Sequence, residues 1–273
     1  MPTYSLQDFL KHTSELATIS PAAVELINKI NLPSTRRDEI AKLVSTDEIL
    51  FANIFKYTNS AALGLVRRPQ TVIEAIDILG LNEIRNLVFA VAAKKVFVDL
   101  DLWHQSVFTA FTAQEFAKKI GLKQDDISNI YIAGLMRSMG TLIFKMFYKD
   151  DYSKVKDIKD RKERSDSERK IFGISNYDLA YEIVKDYGLP EAIVEIIKNQ
   201  GDGWESDKFG QKNAMIDLAV SLSELSKGDL EDQDLIKEAM NSEMLTKFEL
   251  NSLTVDTEFL KEIHERTDNF VNF

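Results

Sequence analysis

Apolar residues recur along this chain at spacings of three and four, and no segment alternates strictly between apolar and polar side chains. The pattern therefore predicts helices throughout, and the expected fold class is all-α. Ser20 can cap a helix that has Pro21 in its first position, with Val24, Ile27 and Ile30 on one face before Leu32-Pro33 stops it. Ser34 or Thr35 can cap the next, RRDEIAKLV, whose stripe is Ile40, Leu43 and Val44. Ser45 and Glu48 have the spacing of a capping box, in which each side chain satisfies an otherwise orphaned backbone N–H, and they open ILFANIFKYTN. Thr71 and Glu74 repeat the box before VIEAIDIL, which Gly80 closes.

A long apolar helix is predicted over about 82–98, an amphipathic one over 101–120 ending at Gly121, and the most apolar of all over 125–148. The last two are the expected core pair. Residues 154–170 carry charges of both signs and read as a solvated helical hairpin on the surface. Ser175 caps a helix running to Gly188, Pro190 begins another, Gly201-Asp202-Gly203 makes a loop, and three helices follow over roughly 209–227, 233–241 and 256–270. Because no clean linker separates these pieces, 1–273 reads as one body: a lobe over 1–99, a second over 100–228, and a C-terminal helical extension over 229–273.

Composition narrows the chemistry. There is no cysteine, which removes disulfides, thiolate metal sites and a cysteine nucleophile. A formal charge of −10 opposes nonspecific attraction to nucleic acid or anionic lipid, so no nucleic-acid partner is expected. The N-terminal residues lack the basic and apolar regions of a secretory signal, and the run NLVFAVAAKKVFV is broken by Lys94 and Lys95. The expectation is a cytoplasmic protein with no membrane insertion. The patterns G-x-S-x-G, G-x-x-x-x-G-K-[ST] and G-x-G-x-x-G do not occur, so serine hydrolases of that kind, P-loop enzymes and dinucleotide folds drop out.

The segment TNSAALGLVRRPQTVIEAIDILGLNEIRNLVFA places Asn59-Ser60-Ala61, Gly64, Pro69, Ala75-Ile76, Leu79-Gly80-Leu81 and Arg85-Asn86-Leu87-Val88 in a distinctive order. Leu102-Trp103, Ala133-Gly134-Leu135, Gly140, Phe172-Gly173, Tyr187-Gly188-Leu189-Pro190 and Asp217-Leu218-Ala219 continue it. In order and spacing these resemble the HDOD family, a branch of the HD-hydrolase superfamily found in bacterial signalling proteins. The resemblance runs from about residue 18 to about residue 225. It implies an HDOD-like bundle in which an N-terminal helical lobe joins a degenerate HD-type lobe, acting in signal transduction linked to motility or second-messenger control.

The superfamily is named for a His-Asp pair that binds a divalent cation together with a histidine before it and an aspartate after it. Imidazole and carboxylate lone pairs hold the metal, which acidifies bound water for phosphohydrolysis. By the resemblance, that pair falls at Arg137 and Ser138, the earlier histidine at Gln105, and later histidines near Asn176 and at Asn199-Gln200. Asp217 alone matches the last ligand position. His104 lies one residue early, and one residue on a helix turns a side chain by about 100°, so it is expected to point elsewhere.

A fixed positive charge at Arg137 repels a cation. The expectation is thus no catalysis and no cofactor: a regulatory protein acting through signalling partners, with Asn59, Ser60, Arg67, Arg68, Arg85 and Asn86 as the candidate surface. Asn59-Ser60 could equally cap a helix, and Arg85-Asn86 could bind backbone across the lobes. Two alternatives stand beside it. In one, the old cleft (His104, Gln105, Arg137, Ser138, Asn176 and Asp217) binds a phosphate-containing ligand such as a cyclic dinucleotide without turnover, unless Arg137 simply pairs with Asp217 or another acid and only holds the helices together. In the other, Asp178, Asp217 and His104 keep a metal-dependent phosphohydrolase.

Overall fold

The computed structural model describes residues 4–13, 21–30, 35–46, 48–58, 69–198, 210–225 and 231–272, and every regular element among them is helical. The first part of the chain forms α1 (Leu6–Thr13), α2 (Pro21–Ile30), α3 (Arg37–Thr46), α4 (Glu48–Thr58), α5 (Val72–Leu79) and α6 (Leu81–Lys94). The middle forms α7 (Leu100–Lys119), α8 (Gln124–Met136), α9 (Met139–Phe147), α10 (Lys149–Tyr152), α11 (Arg161–Phe172), α12 (Asn176–Asp186) and α13 (Glu191–Lys198). The last part forms α14 (Gly210–Ser223), α15 (Gln233–Ala239), α16 (Ser242–Lys247) and α17 (Thr257–Val271).

Of the predicted N-caps on described residues, Thr71 and Ser175 form, whereas Ser45 lies inside α3 and its hydroxyl donates back to the Ala41 carbonyl at 2.7 Å instead of opening α4. Thr71 Oγ1 accepts from the Glu74 N–H at 3.1 Å, while the Glu74 carboxylate reaches one residue further back, to the Gln70 N–H at 2.7 Å. Gly80 has φ +83°, a conformation that a Cβ disfavours, and this lets α5 turn directly into α6. Ser175 caps α12 through the Asp178 N–H. Thr35 does not cap α3; its hydroxyl donates to the Lys29 carbonyl at 2.6 Å. The predicted roles of Ser20, Ser34 and the Gly201 loop lie outside the described residues.

Helix α7 is the axis of the molecule, lying against α8, α14 and α17. Its buried face includes Trp103, Val107, Phe108, Phe111 and Phe116, each fully burying an aromatic or branched side chain worth about 1.5–3 kcal/mol. Gly134 of α8 lets the two core helices close up, since a Cβ there would come within 2.9 Å of Ala110 Cα. The N-terminal helices stack α2 and α3 against α6 and α5, and α6 carries that layer onto α8.

Three expectations are revised. The apolar run over 125–148 is two helices, α8 and α9, because the chain bends at Arg137-Ser138. That run, Gln124–Phe147, is long and apolar enough to cross a membrane, but its most apolar window is 78% buried within the bundle. Helix α1, assigned by sequence to the first lobe, packs on α9 and α12, and its Phe9 meets Phe144 of α9 and Phe172 at the end of α11. The charged segment 154–170 is not mere surface: α11 buries Ser165 and Glu168 completely or nearly so.

The C-terminal helices are firmly packed. Arg266 of α17 lies over the Phe111 ring at 4.0 Å and pairs with Glu115 at 3.0 Å, and Lys94 of α6 donates to the Val271 carbonyl.

Candidate functional site

The bend between α8 and α9 opens onto a cleft of about 560 Å³ whose walls come from α7, α9, α11, α12 and α14. Arg137 ends α8 and Ser138 starts α9; Ser138 Oγ is hydrogen-bonded to Ser106 Oγ of α7, which pins the bend to the central helix. Gly140 then lets α9 approach the start of α12, because a Cβ at that position would collide with the Asn176 carbonyl. Those small residues therefore have a steric task, which is to bring Arg137, Ser138 and Asn176 around one cavity.

Five of the six residues assigned to the old cleft line it: His104, Gln105, Arg137, Ser138 and Asn176. His104 does face the cavity, contrary to expectation, but its Nε2 is hydrogen-bonded to Asp268 of α17 at 2.8 Å. Asp217 is not in the lining. It is 2% exposed and bound by Arg161, which reaches its carboxylate at 3.4 Å and its carbonyl at 3.1 Å and also donates to Ser221 Oγ. The anticipated Arg137–Asp217 pair is thus replaced by Arg161–Asp217. Asp178 is elsewhere too, accepting from Ser175 Oγ and Arg169 at the surface end of α12.

Sequence reading missed the wall made by α11 and by the turn before it. Arg164 and Glu168 line the cleft, with Tyr152, Lys156 and, from α9, Lys145. Four-residue spacing between Arg164 and Glu168 places both on one helical face, a signal that the abundance of charge in this segment concealed. Glu168 accepts from both the backbone N–H and the side-chain amide of Asn176 at 2.8 Å. Burial pushes the Glu168 carboxyl above its ordinary range, with the Asn176 bonds and Arg164 offsetting part of that.

Arg137 is 6% exposed, and its charge is disfavoured first by burial and then by the like charges of Arg161 and Arg164, with Tyr177 and Asp217 acting the other way. Its guanidinium lies 5.9 Å from the centre of the Tyr177 ring. Burial also works against the Arg164 charge, but Tyr177, Glu168 and Glu224 outweigh it and hold its pKa above the usual value.

These residues do not fit the divalent cation of the HD superfamily. A buried guanidinium, a hydroxyl and two amides stand where imidazoles and carboxylates would bind, and among the described residues no three His, Asp or Glu side chains converge as ligands.

The proposed partner surface is revised as well. Arg85 is 0% and Asn86 3% exposed, so neither can meet a partner. Side-chain bonds join them to α8: Arg85 donates to Asn129 Oδ1 at 2.6 Å, and Asn86 Oδ1 accepts from Ser128 Oγ. Asn59, Ser60, Arg67 and Arg68 lie outside the described residues.

Comparison with known proteins agrees with this architecture. An uncharacterized protein of Treponema pallidum (strain Nichols) is 26% identical over 189 residues, spanning 64% of this chain and 35% of that protein, so the match covers about a third of the relative's length. The fold is shared with an HDOD domain protein of unknown function from Geobacter sulfurreducens (TM-score 0.70, 22% identity, 97% of each chain). It is also shared with a provisionally named phosphohydrolase from Shewanella amazonensis SB2B (TM-score 0.67, 20% identity, 98% of this chain and 94% of that one). A provisionally named signal transduction protein from Marinobacter aquaeolei VT8 matches too (TM-score 0.67, 18% identity, 96% of this chain and 58% of that one). The HDOD domain profile matches residues 16–202, more than half of the chain, and with the helical bundle and its bent α8–α9 junction this makes the protein a member of the HDOD family.

Proposed function

We propose that this chain is a non-catalytic signal-transduction module of the cytoplasm that acts through protein partners. The observation that carries the reading is Arg137: a buried positive charge lines the cleft at the position the family's resemblance assigns to the metal-binding pair. The carboxylates an enzyme would need are committed elsewhere, Asp217 to Arg161 and Asp178 to Ser175 and Arg169. The signalling name of the Marinobacter protein is consistent with this role.

A partner could sense the cleft from its rim. Val98, 62% exposed, stands in the turn between α6 and α7, and Leu100, 67% exposed, opens α7 immediately before the lining residues Asp101 and Leu102.

The test is a hydrolase assay of the purified protein with phosphomonoesters and phosphodiesters, each with Mg²⁺, Mn²⁺ and Fe²⁺, alongside elemental analysis. Turnover at the buffer rate is expected. Metal-dependent turnover that disappears in Asp217→Asn would overturn the reading. In parallel, Val98→Ser with Leu100→Ser should weaken capture of any partner the parent protein retains.

A further inference from the structure

Burying an arginine without a counter-ion is strongly unfavourable, because the guanidinium loses its hydration and gains nothing in return. Arg137 comes close to that position: among the described residues its Nε has no hydrogen bond, its guanidinium lies 5.9 Å from the centre of the Tyr177 ring, and the attraction of Tyr177 and Asp217 is opposed by burial and by the like charges of Arg161 and Arg164. The nearby acids are committed, Asp217 to Arg161 and Glu168 to Asn176. A second guanidinium, Arg164, opens onto the same cavity. Two neighbouring guanidiniums thus face one cavity, the second attracted by Glu168 and Glu224 and the first with neither acid among its neighbours, and an anion would complete the site.

The anion's chemistry follows from number and shape. One carboxylate offers two oxygens and one charge, enough for a single planar guanidinium fork, whereas a phosphoryl dianion offers three oxygens and can satisfy two forks at once. The cleft is not uniformly basic, since Asp101, Glu168 and Glu224 also line it, so a polyanion is disfavoured and a single phosphoryl group on an otherwise neutral body fits better. A volume of about 560 Å³ suits a body of mononucleotide size.

We propose that the cleft binds a phosphate ester of mononucleotide size, with its phosphoryl group on Arg137 and Arg164 and its neutral body toward Gln105 and Thr141. The ligand is not turned over, and so this inference rests on the non-catalytic reading above. Binding is the module's input, and a filled cleft ties α8, α9 and α11 together.

The experiment is calorimetric titration of the full chain with AMP, GMP, pyrophosphate and the phosphate-free nucleosides adenosine and guanosine, with the solutions analysed afterwards for released phosphate. At least one nucleotide should saturate the protein, its nucleoside should bind at least tenfold more weakly, and Arg137→Met and Arg164→Met should each weaken the nucleotide tenfold or more. Arg137→Lys should recover part of the loss, whereas Lys261→Gln, outside the cleft, should bind like the parent. Absence of saturable binding by both nucleotides overturns the site, whether or not pyrophosphate binds, as does equal binding of nucleoside and nucleotide or unchanged affinity in either arginine variant. Released phosphate dependent on added metal would instead overturn the non-catalytic reading while leaving the arginine site standing.

Discussion

Arg85 and Arg137 are both arginines at buried positions of neighbouring helices, yet their surroundings differ in kind. Arg85 crosses from α6 to α8 and ends on Asn129 Oδ1 at 2.6 Å, and burial lowers its pKa to about 10 without removing its charge at neutral pH. Arg137 ends at a cavity, with Tyr177 as its ring neighbour and like charges beside it. A buried charge with a dedicated partner stabilises an interface; one that faces open space is paid for by stability that a ligand can return. Burial alone therefore does not separate a structural arginine from a functional one. The partner does.

Substitution should split the two residues by sign. Arg85→Met leaves Asn129 Oδ1 without its donor and loosens the α6–α8 contact, and it should cost about 3 kcal/mol in urea denaturation. Asn129→Leu tests the same link from the other side; it strands the Arg85 charge and should cost about 2 kcal/mol. Arg137→Met should move the opposite way, raising stability by about 1 kcal/mol, because a methionine of similar volume removes a buried charge whose desolvation Tyr177 and Asp217 only partly offset. A loss of 2 kcal/mol or more on that substitution would place Arg137 with Arg85 as a structural residue.

The smallest effect belongs to Glu168, the acid of the same cleft. Its folded pKa lies above the ordinary 4.5, so the unfolded chain gives up this proton more readily than the native one. Its contribution to stability is therefore fully present below pH 4.5 and fades as pH rises through the folded pKa. Glu168→Gln should flatten that part of the curve of melting temperature against pH while keeping an acceptor for Asn176. A parallel curve for parent and variant would contradict the assignment.

The fold was legible where local physics decides it. Apolar spacing marks α5, α6, α7 and α12, and Thr71, Gly80 and Ser175 mark their ends through hydrogen bonds and a backbone angle that are local to the sequence. The cleft was legible in part: five of its residues follow from motif order, which tracks register along helices. Arg164, Glu168 and Lys145 were not, because a charged helix that covers a cavity and one that faces bulk water obey the same local pattern. The direction of His104 also escaped, since the rotation rule describes one helix, whereas the cavity is bounded by five.

What the sequence determined by itself is the helical class, the family, and the chemical types standing at the old metal positions, because these depend on residue identity and spacing. Only the tertiary structure decided that Arg85 is a buried strut, that Asp217 bonds to Arg161, and that Arg137 meets a cavity. Charge interactions fall off over a few ångströms of space rather than a few residues of chain, so the partner of a buried ion is a property of packing.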